Sequence, residues 1–176
     1  DIHFIDKPAF IPSEFRDPDR TLVIYTPAVP EDSLELAYFR NNGFRVIKRS
    51  VALGEVFNSG YGIAVAGTHG KTSVSTMLAF IMSEAISGCN AFLGGISKNF
   101  NSNLVLHPTS NTIIAEADEY DRSFLTLFPN IAVITSMDAD HLDIYQSKEN
   151  LLDSFRMFIN HVDGKGELIF RHCRQG

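Results

Sequence analysis

The sequence contains little that would mark a secreted, membrane or metal-binding protein. Its only two cysteines, Cys89 and Cys173, have neither metal-binding nor redox spacing, which fits a reduced protein. Its apolar runs are no longer than strands and it has no signal peptide, so we predict a cytoplasmic protein without membrane insertion. The net charge of −6 argues against non-specific binding to nucleic acid, so we expect no nucleic-acid partner.

The apolar residues that are present come in alternating strand-like and helix-like segments. With 176 residues and 44% hydrophobic content, the chain can bury one core, or one core and part of another. Predicted strands are Thr21–Tyr25, Phe44–Ile47, Ile63–Ala66, Thr112–Glu116, Ile131–Ser136 and Gly166–Phe170. Predicted helices are Asp32–Asn42 with a capping box of Asp32 and Glu35, Ser50–Phe57, Ser73–Ile86, and a long one behind Ser147. This alternation predicts an α/β fold with a mostly parallel sheet covered on both faces.

Three further patterns predict how the chain is organised. A turn at Asn58–Gly60 divides it into a small α/β piece and a larger piece. The glycine- and asparagine-rich segment Gly88–Pro108 has no clear period, so we expect a long active-site loop there. In Ser73–Ile86, apolar residues at helical spacing predict the buried face of the helix: Val74, Met77, Leu78, Ile81, Met82 and Ala85.

The segment IAVAGTHGKTS, residues 63–73, has the form of a phosphate-binding loop between a strand and a helix. Gly67 and Gly70 let the backbone curl so that N–H groups and the helix N-terminus point at phosphate oxygens. Lys71 would reach the β- and γ-phosphates, and the Thr72 hydroxyl would bind Mg²⁺. Val65 stands where the usual pattern has a glycine, so the loop is a shortened variant. The alternative is a glycine turn that joins strand and helix by chance. The ATP-binding residues would be Gly67, Thr68, His69, Gly70, Lys71, Thr72 and Ser73.

Acidic residues follow two of the predicted strands, EADEYD after one and MDADHLD after another. Because ligands bind at the carboxyl edge of open parallel sheets, we expect both segments to lie beside the phosphate loop. Glu116 is placed to hold Mg²⁺, and His141 can bind a second metal or orient a phosphate, with Asp140 or Asp143 as its partner. We expect the other carboxylates to be solvated loop residues: Glu119, Asp138 and Asp143.

Four ordered motifs resemble the Mur ligase family, the ATP-dependent amino-acid ligases that build the stem peptide of peptidoglycan. They are GTHGKTS (Gly67–Ser73), AFLGG (Ala91–Gly95), EADEYDRSF (Glu116–Phe124) and SMDADHLDIY (Ser136–Tyr145). YTPAVPED (Tyr25–Asp32) and VIKRS (Val46–Ser50) are similar to the end of the family's N-terminal domain. The resemblance covers nearly the whole chain, although the family often has asparagine where Ser136 and Met137 stand.

The resemblance implies a three-domain enzyme of which this chain holds part. Residues 1–59 would be the C-terminal half of a Rossmann-like, UDP-binding N-terminal domain, and residues 60–176 the first part of a central P-loop ATPase domain. The amino-acid-binding C-terminal domain would be absent, so we expect the isolated chain to be inactive. Carried over by motif, the catalytic residues would be Lys71, Glu116 and His141. The Mg²⁺ ligands would be Thr72, Glu116 and, for a second ion, His141, and the substrate would lie near His69, Gly94 and Gly95.

The reaction that the resemblance implies joins L-alanine to the lactyl carboxylate of UDP-N-acetylmuramate through an acyl phosphate. ATP and Mg²⁺ would be required, with UDP-N-acetylmuramate and L-alanine as substrates. One alternative is a sister ligase that attaches a whole peptide to UDP-N-acetylmuramate during wall recycling, although Phe128–Tyr145 resembles the alanine-adding type more. Another is a P-loop phosphotransferase or GTPase, which would normally keep a glycine at Val65 and carry a guanine-reading NKxD motif.

Overall fold

The structure, a computed structural model, describes residues 5–170 apart from residues 86, 121, 139–144 and 146. The chain divides into two compact units, Asp1–Ala52 and Leu53–Gly176. The division falls inside a helix, and the assignment of residues 1–59 and 60–176 to two domains stays a prediction. Within the described ranges, no helix is both long enough and apolar enough to cross a membrane.

The first unit contains two parallel strands and the helix between them. These elements are β1 (Leu22–Tyr25), α1 (Leu34–Asn41) and β2 (Arg45–Lys48), with Leu22 opposite Arg45 and Tyr25 opposite Lys48. Helix α2 (Arg49–Phe57) follows directly and continues into the second unit. The strand–helix–strand pattern predicted from the sequence is confirmed for this part of the chain.

Helix α1 begins one residue later than its predicted capping box. Its N-cap is Ser33, whose hydroxyl accepts a hydrogen bond from the Leu36 N–H at 3.2 Å. The Asp6 carboxylate accepts from the N–H groups of Leu34 and Glu35, each at 2.9 Å. The predicted box of Asp32 and Glu35 is therefore wrong, because a serine one position on and an aspartate distant in sequence satisfy these N–H groups.

The second unit is built on a six-stranded sheet. Its elements in chain order are β3 (Tyr61–Ala66), α3 (Lys71–Glu84), β4 (Asn90–Ser97), β5 (Ser102–Val105), β6 (Thr112–Glu116), β7 (Ile131–Ile134), α4 (Lys148–Ile159) and β8 (Glu167–Phe170). The strand order is β5-β4-β6-β3-β7-β8, and only the β4–β5 pair is antiparallel. The predicted α/β class with a mostly parallel sheet is confirmed. The central strands β3 and β6 are buried because other elements cover both faces.

Aromatic side chains fill the core on one side of this sheet. Phe124 stacks on Phe158 with ring centroids 5.0 Å apart and meets the Phe155 ring edge-on at 5.5 Å. All three rings are buried, and the sheet beneath them presents small residues such as Ala64 and Ala132. Ser147 caps α4 as predicted, its hydroxyl accepting from the Asn150 N–H at 3.1 Å.

The expected long loop at Gly88–Pro108 is wrong, since this segment forms the β4–β5 hairpin. The glycines and asparagines of this segment are explained by individual contacts and backbone conformations within the hairpin. Gly94 lies inside β4 beneath a carboxylate that leaves no room for a side chain. Asn101 is in the turn of the hairpin with a φ of +50°, a conformation that asparagine tolerates better than most residues. Composition without period therefore did not indicate a loop here.

The buried face predicted for α3 is only partly right, since Leu78 and Met82 pack against the core but other predicted residues do not. Met77 and Ile81 are 57% and 64% exposed, whereas Ser75 and Ala79 are completely buried. Small residues on that face allow the helix to approach the sheet closely, and the Ser75 hydroxyl is satisfied inside the helix by the Thr72 carbonyl at 3.2 Å. Apolar residues occur all around this helix, so their spacing alone did not identify the centre of the packed side.

Candidate functional site

Three adjacent strands of the second unit end at one edge of the sheet. Val65 of β3 lies opposite Glu116 of β6, and Ala66 of β3 lies opposite Ile134 of β7. The phosphate-binding loop, the acidic segment that starts at Glu116 and the segment after β7 therefore leave the sheet side by side. The strand register confirms that the three strands end at one edge of the sheet, whereas residues 139–143 of the second acidic segment lie outside the described residues.

The loop between β3 and α3 has a conformation that depends on its two glycines. Gly67 has a φ of +132°, and a Cβ there would lie 2.8 Å from the Ser136 nitrogen and would overlap the Thr135 hydroxyl. Gly70 has a φ of +81°, and a Cβ there would meet no atom within 4 Å. One glycine thus permits close packing below the loop, and the other permits a left-handed turn that faces open space.

Helix α3 starts at this open space without a side-chain cap. Gly70 is its N-cap, and no described side chain accepts a hydrogen bond there. Its first-turn N–H groups have no acceptor within the helix, and the helix dipole makes this end positive. Thr72 and Ser73, in that first turn, are exposed. The geometry is that of an anion-binding site.

Hydroxyl groups from the segment after β7 hold the loop in place. The Ser136 hydroxyl lies 2.9 Å from the Thr68 hydroxyl and accepts from the His69 N–H at 3.0 Å. The Thr135 hydroxyl donates to the His69 carbonyl at 2.5 Å and also lies 3.1 Å from the Ala66 carbonyl. The sequence patterns predict no role for Thr135, and they distinguish Ser136 only as a departure from the family pattern. These serine and threonine side chains fix the loop before any ligand binds.

Lys71 is paired with a glutamate that sequence reasoning placed in solvent. Its Nζ lies 3.0 Å from both carboxylate oxygens of Glu119 and donates to the Gly67 carbonyl at 2.8 Å. The Glu119 side chain has no exposed surface, so the prediction of a solvated carboxylate is wrong. The Tyr145 hydroxyl donates to the Glu119 backbone carbonyl. Burial alternates beyond the end of β6, where Ala117 and Glu119 are buried and Asp118 is exposed. Extending the alternating strand pattern past Glu116 would therefore have predicted that Glu119 is buried.

The two described metal-ligand candidates lie along one stretch of β4. The Glu116 carboxylate accepts from the Gly94 N–H at 2.9 Å. The side chain of Thr72 lies beside the next residue, since a Cβ on Gly95 would be 3.8 Å from the threonine methyl group. Within the described residues no three His, Cys, Asp or Glu side chains cluster as a metal site. One carboxylate and one hydroxyl fit Mg²⁺, which usually keeps several of its waters.

The remaining predicted residues are placed as follows. His141, Asp140 and Asp143 lie outside the described residues. Asp138 is exposed as predicted, and its N–H donates to the Thr68 hydroxyl at 3.1 Å. The His69 side chain is exposed at the top of the loop. The described site therefore combines backbone N–H groups, one lysine, one hydroxyl and one carboxylate, a set that suits a phosphate ester together with a hard divalent cation.

Comparison with known proteins finds curated relatives that align with nearly the whole of this chain. The chain is 52% identical over 170 residues to the UDP-N-acetylmuramate–L-alanine ligase of Phocaeicola vulgatus, covering 97% of this chain and 37% of that protein. The chain thus spans little more than a third of the length of this curated relative.

Two solved structures are also similar. A UDP-N-acetylmuramate:L-alanyl-γ-D-glutamyl-meso-diaminopimelate ligase from Neisseria meningitides superposes with a TM-score of 0.76 at 26% identity, covering 86% of this chain and 52% of the other. The UDP-N-acetylmuramate–alanine ligase of Thermotoga maritima gives 0.73 at 26% identity, covering 85% and 34%.

The Mur ligase middle domain family matches residues 65–173, a segment that includes the phosphate-binding loop from Gly67, the acidic segment after β6 and helix α4. The match covers more than half of the chain and begins at the strand that carries the loop. The chain therefore belongs to the Mur ligase family.

Proposed function

We propose that this chain is part of an ATP-dependent ligase that joins L-alanine to the lactyl carboxylate of UDP-N-acetylmuramate during peptidoglycan precursor synthesis. The observation that carries the proposal is the convergence of Lys71, Thr72 and Glu116 at one edge of the sheet, beside an uncapped helix N-terminus. The 52% identity to a ligase named for this reaction supports the choice of substrates. We also keep the cytoplasmic location, because the reaction needs ATP.

The nucleotide phosphates are assigned to the loop and the start of α3, residues Gly67–Ser73. Backbone N–H groups and the dipole of α3 would bind the phosphate oxygens, and Lys71 would reach the β- and γ-phosphates. Ser136 and Thr135 would favour ATP binding by making the loop rigid, because their hydrogen bonds hold its backbone in shape before ATP binds. The loop then loses little conformational entropy when the nucleotide binds.

Mg²⁺ is assigned to Thr72 and Glu116, with water completing its shell. The oxygen ligands fit this ion, and the Gly94 N–H fixes one oxygen of the Glu116 carboxylate. When bound, the ion offsets the negative charge of the phosphoryl oxygens. The binding of a second Mg²⁺ by His141 stays a prediction, since that residue lies outside the described part of the chain.

The proposed reaction has two steps. The lactyl carboxylate attacks the γ-phosphorus, the bond from that phosphorus to the bridging oxygen breaks, and ADP leaves with the electron pair. The amine of L-alanine then attacks the acyl carbon, loses a proton and expels inorganic phosphate as the amide forms. Two anions must approach each other in the first step, so the ammonium of Lys71 lowers the barrier by offsetting their repulsion.

The test uses the complete protein that contains this sequence, with UDP-N-acetylmuramate and Mg-ATP, and measures release of ADP and phosphate. Release that depends on L-alanine supports the proposal. Lys71→Ala and Glu116→Gln should each abolish it, because one removes the phosphate contact and the other removes a charged Mg²⁺ ligand. Matched controls are Lys165→Ala and Glu167→Gln, whose side chains are exposed away from the loop and should leave the rate unchanged.

A second candidate function is ligation of a whole stem peptide to UDP-N-acetylmuramate. It is favoured by the TM-score of 0.76 to the Neisseria ligase, whose name specifies a tripeptide substrate. The same assay separates the two, with L-alanine in one arm and the tripeptide in the other. Release with the tripeptide alone would replace the first proposal by the second, and release with neither would contradict both.

A further inference from the structure

The ammonium of Lys71 is held by two other residues in the nucleotide-free structure. It donates hydrogen bonds to the Gly67 carbonyl at 2.8 Å and to Glu119 Oε1 at 3.0 Å, and Oε2 of the same carboxylate also lies 3.0 Å from Nζ. The lysine side chain is only 13% exposed, so water has limited access to it. A phosphate oxygen that approaches the ammonium therefore competes with the Glu119 carboxylate for it.

Glu119 is held rigidly for this contact. Its side chain has no exposed surface, and the Tyr145 hydroxyl donates a hydrogen bond to its backbone carbonyl. Tyr145 is itself buried, with 1% exposure, and has the Arg122 guanidinium 5.6 Å from its ring centre. The Glu119 carboxylate is therefore held in one position by its buried surroundings and by the hydrogen bond to its backbone, just beyond the end of β6.

A structural role alone explains this pair poorly. Burying two charges costs free energy, and a well-packed apolar pair of similar volume is often as stable or more stable. A buried carboxylate does, however, orient the ammonium, because the positions of its two oxygens determine where the lysine Nζ lies. It also places a negative charge next to the position assigned to the phosphates, and this charge opposes their binding.

We propose that Glu119 is a positioning residue that holds and orients the Lys71 ammonium in the nucleotide-free loop, and that the phosphates bind by replacing part of this contact. The inference rests on the proposed nucleotide site. Glu119 then weakens nucleotide binding while it aligns the lysine for phosphoryl transfer. Removing its charge should tighten binding and slow turnover, whereas loss of a purely structural contact would weaken binding or leave it unchanged.

The test measures the Kd of ADP with Mg²⁺ by calorimetry on the complete protein. Glu119→Gln keeps the shape and removes the charge, and should lower the Kd about threefold or more. When Lys71 is first replaced in Lys71→Met, Glu119→Gln should change the logarithm of the Kd by less than about half of its change in the wild-type background. The reason is that Glu119 acts on the nucleotide by holding the Lys71 ammonium. Asp118→Asn, which removes an equal charge from the adjacent exposed residue, is the control and should have little effect.

Turnover provides the second readout. Glu119→Gln should lower kcat without raising KM for ATP, and Glu119→Asp, which restores the charge, should recover part of kcat. An unchanged or higher Kd in folded Glu119→Gln would overturn the inference, as would an equal gain in affinity when Lys71 is absent. Wild-type protein that binds no Mg-ADP would instead contradict the proposed function.

A measurement on the wild-type protein keeps the inference testable if Glu119→Gln does not fold. The ¹⁵N–¹H signal of the Lys71 ammonium, assigned by its loss in Lys71→Arg, should be visible without nucleotide because the ion pair protects it from exchange with water. It should shift when ADP and Mg²⁺ are added. Absence of a protected signal in the nucleotide-free protein, or a signal that ADP does not move, would overturn the proposal.

Discussion

The Glu116 carboxylate lies directly against the backbone of Gly94. The Gly94 N–H donates to Oε2 at 2.9 Å, and a Cβ at this glycine would lie 2.6 Å from Oε1. A residue from β4 therefore determines where a carboxylate from β6 points. Since we assign Mg²⁺ to this carboxylate, the absence of a side chain at Gly94 is part of the site.

Gly94→Ala should displace the Glu116 carboxylate and weaken Mg²⁺-dependent nucleotide binding. Gly95→Ala is the matched control, because a Cβ there meets the Thr72 methyl group at an ordinary 3.8 Å. Calorimetric titration with ADP, with and without Mg²⁺, provides the measurement. We expect a loss of about tenfold or more for Gly94→Ala, comparable to other losses of a metal ligand's support, and little change for the control. Equal effects from both would show that Gly94 does not act through Glu116.

Substitutions at the two glycines of the phosphate-binding loop should differ in cost. Gly70→Ala should lower the free energy of unfolding by about 1 kcal/mol, because its left-handed conformation is strained but its Cβ enters open space. Gly67→Ala should cost more, because a Cβ would also collide with Thr135 and Ser136. Urea unfolding of both variants tests this order, and a reversed order would contradict the described packing.

The Ser136 hydroxyl should contribute both to stability and to nucleotide affinity. Ser136→Ala removes its contacts with the Thr68 hydroxyl and the His69 N–H, and we expect a loss of about 1–2 kcal/mol in unfolding free energy. The loosened loop should also bind Mg-ADP more weakly. Ser59→Ala, which removes one exposed turn hydrogen bond, serves as the control. Unchanged affinity in Ser136→Ala would mean that the loop keeps its shape without this serine.

Acid should destabilise the first unit through Asp6. Hydrogen bonds from the Glu35 and Leu34 N–H groups, and to a lesser extent from the Ser33 hydroxyl, hold the pKa of the Asp6 carboxyl below its ordinary 3.8, although desolvation opposes this shift. The unfolded chain then binds this proton more tightly, so the stabilisation is complete above the ordinary pKa and is lost as pH falls through the lowered one.

Asp6→Asn should therefore lower the urea midpoint at pH 7, and the difference from wild type should shrink as the pH approaches 3. Circular dichroism during urea unfolding at several pH values measures this trend. Asp19→Asn, at an exposed position in the same unit, should show no such convergence. A constant difference for Asp6→Asn across this range would contradict the assignment.

Local patterns were enough to predict the elements that hold the site. Strand β6 matches its predicted bounds, and β3, β7 and the cap of α4 lie where β-branched runs and Ser147 indicated. The same patterns misled where apolar residues surround a helix, as in α3, and where glycine and asparagine serve specific contacts, as in β4. In these places the packing partner decides the structure, and it comes from elsewhere in the chain.

The sequence by itself determined the glycine loop after a buried strand, the lysine and hydroxyl that begin its helix, and the parallel α/β class. These follow from short-range rules, because backbone conformation and strand periodicity depend on neighbouring residues. Only the tertiary structure decided that Glu119 pairs with Lys71, that Gly94 supports Glu116 and that Ser136 holds the loop. These contacts join residues distant in the chain, and they depend on the order and register of strands that no local pattern encodes.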